Sequence, residues 1–337
     1  GIRQNAFPGA SVAITHHGKL IALKGFGHFT YERESPEVKA DTSFDLASIT
    51  KAIGTTAACM LLYQGGRLDL KQPVVEVLPQ FSGSDPRRSR ITFEMLLAHS
   101  SGLPAYVRLF ETARSREQLL EQAFAVPLTS DPGARSEYSD IGFIVLGRSI
   151  ERITGAPLDE YSHREIFGPL GLSRLRFNPP ADCKALIPPT ERQQPFRPYV
   201  IQGEVNDENA YVMGGVAGHA GCFGAALDVA TFAECMLRDG NPLFNRHTVE
   251  LFTQLQSSPP GTSRALGWDT PSAPSQSGRY FSRKSFGHLG YTGTSLWIDL
   301  EHQLSVTLLT NRTWPDRGSQ AIKSTRPAFH DAVVEAL

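Results

Sequence analysis

Strand-like segments at the two ends of the chain constrain the fold most. Each end carries a pair of segments rich in β-branched residues, and a short polar turn separates the members of each pair. The four segments are residues 9–16, 19–26, 294–300 and 304–310. Such pairs are typical of antiparallel strands, and a helical pattern from about residue 326 to residue 337 closes the chain.

The part of the chain between these pairs is predicted to be mainly helical. Apolar periodicity interrupted by Gly and Pro indicates helices near residues 49–64, 92–98, 115–125, 140–154, 159–167 and 227–238. Two segments rich in Pro, Ser and polar residues, 176–206 and 256–285, are predicted as long loops.

Together these patterns predict an α/β fold of the α+β type. An antiparallel sheet is built from the N- and C-terminal strands, is flanked by helices and carries a mainly helical inserted domain. We expect residues 1–64 plus 262–337 to form the sheet domain and residues 65–261 the helical domain, with the functional site between them.

Composition excludes several classes of partner. The 337 residues are 40% hydrophobic and 20% charged, with a formal net charge of -1. A chain with this balance has no basic surface field for nucleic acid or anionic membranes. No apolar stretch is long enough to span a bilayer, which takes roughly 20 residues. We therefore expect a small-molecule substrate rather than nucleic acid or a membrane as the partner, and the oligomeric state stays open.

The cysteines suggest neither disulfides nor a metal site. Cys59, Cys183, Cys222 and Cys235 show no paired spacing and no C-x-x-C or Cys/His cluster. We predict no metal and no cofactor. Free thiols favour a reducing compartment such as the cytoplasm, and the alternative is an exported protein whose signal peptide was removed before Gly1.

The first motif with chemical meaning is S-I-T-K at residues 48–51. Ser48 stands at the start of an apolar helix, and Lys51 lies one turn later on the same face. A serine becomes a strong nucleophile when a neighbouring base takes its proton, and a lysine can be that base when burial lowers its pKa. Lys51 is the one lysine with a serine three residues before it.

Two further motifs supply matching groups. Tyr138 begins the run Y-S-D, and a phenol beside a Ser/Lys pair can carry protons. Asp140 opens a helix, so it is either an N-cap or a contact with substrate. The third motif, residues 287–294 (GHLGYTGT), contains glycines that let a substrate approach a strand edge, where a backbone N–H can bind an oxyanion.

In order and spacing these motifs resemble the S-x-x-K, Y-x-N and K-T-G elements of the class C β-lactamase and penicillin-binding-protein superfamily. The resemblance also covers residues 96–103 (LLAHSSGL) and extends over nearly the whole chain. It implies a β-lactamase/transpeptidase-like fold in which Ser48 is acylated and Lys51 and Tyr138 share the base and acid roles. The backbone N–H groups of Ser48 and Tyr291 would form the oxyanion hole.

Two positions depart from that pattern. The asparagine of the second element is Asp140, and the lysine of the third element is His288, which is largely neutral at pH 7. We predict substrate contacts for Asp140, His288 and Gly290. Because the lysine helps to bind a substrate carboxylate in the family, these departures argue against an efficient β-lactamase, and the His288 pattern is similar to that of the superfamily's esterases.

A second resemblance concerns residues 203–210 and 214–221, which look like the subgroup of muramyl-peptide amidases and low-molecular-weight penicillin-binding proteins of cell-wall turnover. It implies a small-molecule or peptidoglycan-derived substrate. His219 stands between glycines there and has two possible roles, a contact with substrate or loop packing. The predicted function is therefore hydrolysis, through an acyl-enzyme, of an ester or amide such as a muramyl peptide, a D-amino-acid peptide or a β-lactam-like compound.

Two alternatives stay open on sequence grounds. One is a broad-specificity carboxylesterase with weak β-lactamase activity, and the other is a penicillin-binding sensor that is acylated once without turnover. A Ser-His-Asp hydrolase is disfavoured because no G-x-S-x-G elbow occurs, and a metallohydrolase because no H-x-H or H-E-x-x-H ligand motif occurs.

Overall fold

A computed structural model describes all residues from Gly1 to Leu337. Its strands are β1 (Gly9–His16), β2 (Lys19–Gly27), β3 (Ser43–Asp45), β4 (Arg176–Phe177), β5 (Cys222–Ala225), β6 (Ser285–Leu289), β7 (Ser295–Asp299) and β8 (Leu304–Thr310). Five of them form the main sheet in the order β2-β1-β8-β7-β6, and β3, β5 and β4 form a small second sheet. All neighbouring pairs are antiparallel.

The two ends of the chain meet in the centre of the main sheet. Strand β1 pairs with β8, and Ala10 lies opposite Thr310. Both strands are buried along almost their whole length, whereas β2 is an edge strand with several exposed residues. Burial of both faces explains why β1 and β8 contain no Asp, Glu, Lys or Arg and consist mainly of small, apolar and hydroxyl-bearing residues.

The helices are α1 (Ala57–Gln64), α2 (Val74–Val77), α3 (Phe93–Leu97), α4 (Arg116–Ala125), α5 (Asp140–Thr154), α6 (Leu158–Ser162), α7 (Glu208–Val212), α8 (Ala226–Leu237), α9 (Arg246–Thr253) and α10 (Ile322–Glu335). π-Helical turns at Lys51–Thr56 and His163–Phe167 precede α1 and follow α6. None of these helices is both long and apolar enough to cross a membrane.

Helices cover both faces of the main sheet. Helix α8 packs against β1, β7 and β8, although its residues fall inside the segment predicted as the helical domain. Helix α10 covers the other face, where Ile322 packs with Val12 and Leu308, and Val333 lies in a cluster with Ile14. The predicted fold class, an antiparallel sheet of N- and C-terminal strands with helices between them in sequence, is confirmed.

Candidate active site

Ser48 follows a short, strained turn after β3. Ala47 has a φ of 46°, a left-handed conformation that costs a non-glycine residue roughly 1–2 kcal/mol. The buried carboxylate of Asp45 holds the turn, because it accepts the N–H of Ala47 at 2.8 Å and the N–H of Asn206 at 2.6 Å. Ser48 is thereby fixed at the N-terminal end of the helical segment that begins with Lys51.

Lys51 is fully buried, and its ammonium group has three acceptors. Nζ donates to Ser48 Oγ at 2.9 Å and to the main-chain oxygen of His219 at 2.8 Å, and it lies 2.6 Å from Asp140 Oδ1. Burial lowers the pKa of Lys51, but the negative charge of Asp140, together with the Tyr138 hydroxyl, outweighs burial and raises that pKa above its ordinary value. The resting protein therefore does not hold Lys51 in the lowered-pKa state that a lysine general base needs.

Tyr138 completes the surroundings of Ser48. Its hydroxyl interacts with Lys51 and Ser48, and its ring lies 5.0 Å from Lys51 Nζ. Burial raises the pKa of Tyr138 against the opposing effect of Lys51, so the resting side chain is a neutral phenol. The ring of His99 packs 4.7 Å from the Tyr138 ring, and His99 Nδ1 accepts the N–H of Ser139 at 2.9 Å. His99 therefore positions the Y-S-D segment.

Asp140 is not the helix cap that its sequence position allowed. Ser139 caps α5 instead, because its Oγ accepts the N–H of Gly142 at 3.0 Å. The carboxylate of Asp140 is free to pair with Lys51, and the residue also borders the cavity in front of Ser48. We call Ser48, Lys51, Tyr138 and Asp140 the reactive cluster.

The third motif lies directly against the turn that carries Ser48. Thr292 Oγ1 donates to the carbonyl of Asp45 at 2.8 Å, and Thr294 Oγ1 donates to the carbonyl of Leu46 at 3.0 Å. Gly290 is required by this close approach, since a Cβ there would stand 2.6 Å from the Leu46 oxygen. Close packing between the two loops, rather than substrate contact alone, thus explains why residue 290 is a glycine.

Two backbone donors face the same space as Ser48 Oγ. The N–H groups of Ser48 and Tyr291 donate to no other protein atom, and both residues line the cavity in front of the Ser48 hydroxyl. Two such groups beside a serine hydroxyl can bind the oxyanion of a tetrahedral intermediate.

His288 lies behind Tyr138 and away from the cavity wall. It is 2% exposed, its ring is 6.1 Å from the Tyr138 ring, and Nδ1 donates to the carbonyl of Leu289 at 2.8 Å. Burial lowers the pKa of His288 to about 3, so the imidazole is neutral at pH 7. Leu289, rather than His288, borders the cavity.

His219 forms a buried pair with Asp207. His219 Nε2 lies 2.7 Å from Asp207 Oδ1, and the same carboxylate caps α7 by accepting the N–H of Ala210 at 2.7 Å. Although burial raises the pKa of Asp207, His219 and this hydrogen bond lower it to about 2. The pair fixes the main-chain oxygen that binds Lys51, so His219 acts on the reactive cluster through its backbone.

The cavity in front of Ser48, here the central cavity, has a volume of about 530 Å³. One side is formed by four cationic side chains that we call the cationic wall: Arg312, Arg317, Lys323 and Arg326. Arg312 Nε donates to the Tyr291 carbonyl at 2.7 Å, and Arg317 pairs with the buried Glu191 at 2.7 Å. Lys323 is exposed and forms no ion pair.

The cationic wall was not predicted from the sequence. These residues follow β8 in a segment that carries no catalytic motif, and only the fold brings them opposite Ser48. The density of Arg and Lys between residues 312 and 326 was the available signal.

Comparison with known proteins agrees with this architecture. The Beta-lactamase family model matches residues 2–325. An N-acetylmuramyl-L-alanine amidase of Bacillus subtilis (strain 168) is 34% identical, covering 91% of this chain and 77% of that protein. A putative D-alanyl-D-alanine carboxypeptidase of Escherichia coli (strain K12) is 33% identical, covering 91% and 79%.

Solved structures share the fold. The class C β-lactamase from Rhodobacter sphaeroides superposes with a TM-score of 0.72 at 22% identity, over 98% of this chain and 97% of that one. EstCE1, a hydrolase with promiscuous acyltransferase activity, superposes with a TM-score of 0.76 at 23% identity, over 97% and 95%. The chain belongs to the β-lactamase family of serine hydrolases.

Proposed function

We propose that the protein hydrolyses the amide that joins an N-acetylmuramyl group to a peptide, through an acyl-enzyme on Ser48. The observation that carries the proposal is the convergence on one cavity of Ser48 Oγ, bonded to Lys51, and two backbone N–H groups without protein acceptors. The similarity to an N-acetylmuramyl-L-alanine amidase supports the substrate class.

The reaction begins when Ser48 Oγ attacks the carbonyl carbon. Its proton passes to the amine of Lys51, which has first lost one proton, and the N–H groups of Ser48 and Tyr291 bind the oxyanion. As the C–N bond breaks, the same proton reaches the departing nitrogen through the Tyr138 hydroxyl. Water then attacks the acyl-enzyme and gives its proton to Lys51, and Ser48 recovers its hydroxyl as the acid leaves.

The cationic wall supports a substrate with carboxylates. The peptide portion of a muramyl peptide carries carboxylate groups, and Lys323 offers an unpaired positive charge at the edge of the central cavity, whereas Arg317 is paired with Glu191 and Glu208. Neutral His288 does not take over the carboxylate role of the family lysine. The loss of that lysine therefore does not exclude carboxylate recognition, since the positive charge comes from another segment.

A D-alanyl-D-alanine carboxypeptidase is the second candidate, because the C-terminal carboxylate of its substrate also suits the cationic wall. The two functions differ in which bond is cleaved, so the products separate them. N-acetylmuramyl dipeptide releases a free dipeptide in the first case, whereas a D-Ala-D-Ala peptide releases D-Ala in the second.

The test is a parallel assay of the wild type and Ser48→Ala on four substrates: N-acetylmuramyl dipeptide, a D-Ala-D-Ala peptide, nitrocefin and a p-nitrophenyl ester. We expect steady, Ser48-dependent release of dipeptide with the highest kcat/KM. Preferred release of D-Ala supports the second candidate, preferred ester cleavage supports a carboxylesterase, and a burst of one equivalent without turnover supports a sensor.

A further inference from the structure

A second cavity lies beside the central cavity and has a volume of about 710 Å³. We call it the aromatic cavity. The side chains that distinguish it are Phe196, Tyr211, Glu111, Glu204, Arg114 and Lys184. None of them takes part in the reaction described above, and the volume is in the range of small-molecule sites, about 300–1,000 Å³.

Helix α7 separates the two cavities. Glu208, at its start, borders the central cavity, whereas Tyr211, three residues later, borders the aromatic cavity. Three residues of helix correspond to about 4.5 Å along the axis. Glu208 and Tyr211 therefore lie about one sugar ring apart along the helix axis.

The wall between the cavities is firmly held. Asn209, the next residue of α7, is fully buried and bonds in two directions to the neighbouring segment. Its Oδ1 accepts the N–H of Phe110 at 3.0 Å, and its Nδ2 donates to the carbonyl of Val107 at 2.9 Å. The spacing of the two cavities is thus built into the fold.

The aromatic rings are preorganised. The guanidinium of Arg197 lies 4.6 Å from the centre of the Tyr211 ring, and Arg197 itself is buried and donates to the Val205 carbonyl at 2.7 Å. The ring of Phe196 meets Tyr211 edge to face at 6.0 Å. Tyr211 keeps 37% of its surface exposed, so part of its ring is accessible to a ligand.

The charges of the aromatic cavity balance. Two carboxylates, Glu111 and Glu204, are matched by two cations, Arg114 and Lys184, and Lys184 pairs with Glu204 at 3.2 Å. A cavity with aromatic faces, carboxylate acceptors and no net charge favours a neutral ligand with many hydroxyls, namely a sugar.

We propose that the aromatic cavity binds a neutral N-acetylhexosamine linked to the N-acetylmuramyl unit that is acylated onto Ser48. The proposal rests on the proposed function and adds a glycan subsite to it. The sugar stacks on Tyr211 and donates hydroxyl hydrogen bonds to Glu204. The enzyme then prefers glycan-linked peptides over those bearing an isolated muramyl residue.

The test compares kcat/KM for N-acetylmuramyl dipeptide and for the same dipeptide carrying the N-acetylglucosaminyl-N-acetylmuramyl disaccharide. We expect the wild type to prefer the disaccharide and Tyr211→Ala to lose about three- to tenfold on that substrate alone. Tyr211→Phe retains the ring and most of the preference. Tyr280→Ala, which removes another tyrosine of 40% exposure, is the matched control and leaves the preference unchanged.

Equal loss on both substrates in Tyr211→Ala, or no preference in the wild type, overturns the subsite. If no muramyl peptide is cleaved at all, the proposed function fails and the subsite is tested by binding. In that case N,N'-diacetylchitobiose is titrated into Ser48→Ala and followed by NMR. Binding that Tyr211→Ala abolishes supports the subsite, whereas absence of binding, or binding unaffected by Tyr211→Ala, overturns it.

Discussion

The reactive cluster and the cationic wall border one cavity, and their lysines, Lys51 and Lys323, lie in opposite environments. In the cluster, the charge of Lys51 is buried, paired with Asp140 and bonded to fixed acceptors. On the wall, Lys323 is exposed and unpaired. Buried charges interact over short distances and are little screened, whereas exposed ones are screened by salt. We therefore expect the cluster to determine whether the chemistry proceeds, and Lys323 to influence which substrate is favoured.

The largest effect is expected for the nucleophile. Ser48→Ala removes the atom that forms the acyl-enzyme, so we expect ester or amide turnover to fall by at least about 10,000-fold. The melting temperature should change little, since the Asp45 contacts that hold the turn involve backbone groups. Turnover that persists in this variant would mean that another residue is acylated.

Tyr138→Phe tests the proton path. The variant keeps the ring packing against His99 but removes the hydroxyl, and we expect roughly a 100- to 10,000-fold loss of kcat. Tyr161→Phe changes another buried tyrosine, outside the cavity, and serves as the control. A loss of melting temperature that parallels the loss of activity would indicate a packing role for Tyr138.

Asp140→Asn tests the ion pair of the reactive cluster. The carboxylate raises the pKa of Lys51, and the asparagine removes this charge while burial still lowers that pKa. Lys51 then loses its proton at lower pH, so the acid limb of the kcat/KM profile moves to lower pH. At pH values below the apparent pKa of this limb, kcat/KM should rise about tenfold for each pH unit by which that pKa falls.

The measurement is ester hydrolysis between pH 5 and 10 by the wild type, Asp140→Asn and the exposed control Asp41→Asn. A profile that does not move would show that the charge of Asp140 does not govern the protonation of Lys51. A loss of activity at every pH would instead assign Asp140 a direct part in proton transfer.

The smallest effect is expected on the cationic wall. Lys323→Gln should raise KM for a carboxylate-bearing substrate by about fivefold at low ionic strength, since one partly solvated charge pair is worth about 1 kcal/mol. The effect should shrink with added salt and be absent for a neutral ester. Lys19→Gln, an exposed change at the far turn of β1 and β2, is the control. Equal changes on both substrates would remove Lys323 from substrate binding.

Sequence patterns predicted the fold where the local signal matched the final environment. The runs that form β1 and β8 are rich in Val, Ile, Leu and Thr, and their predicted bounds agree with the structure. Strand β6 was missed because its sequence, S-F-G-H-L, lacks β-branched residues and has the composition of a turn. The small sheet was missed because its strands are two to four residues long and lie far apart in sequence.

The sequence predicted which residues meet at the site better than it predicted their charges and pKa values. Motif spacing selected Ser48, Lys51 and Tyr138, which the fold brings together. The protonation of Lys51 depends on its burial and on its contact with Asp140, which lies 89 positions later in the chain. The sequence around Lys51 shows neither the burial nor this contact. His288 was expected to contact substrate. Because successive side chains of β6 point to opposite faces of the sheet, its ring lies next to Tyr138 instead of bordering the cavity.

The central claim is that Ser48 becomes acylated, and mass spectrometry of the covalent intermediate tests it most directly. The protein is mixed with a fluorophosphonate probe or benzylpenicillin, quenched in acid, weighed intact and digested for peptide mapping. We predict one adduct per chain, on the peptide that contains Ser48, and none in Ser48→Ala. An adduct on a different residue, or equal labelling of the variant, would contradict acylation of Ser48.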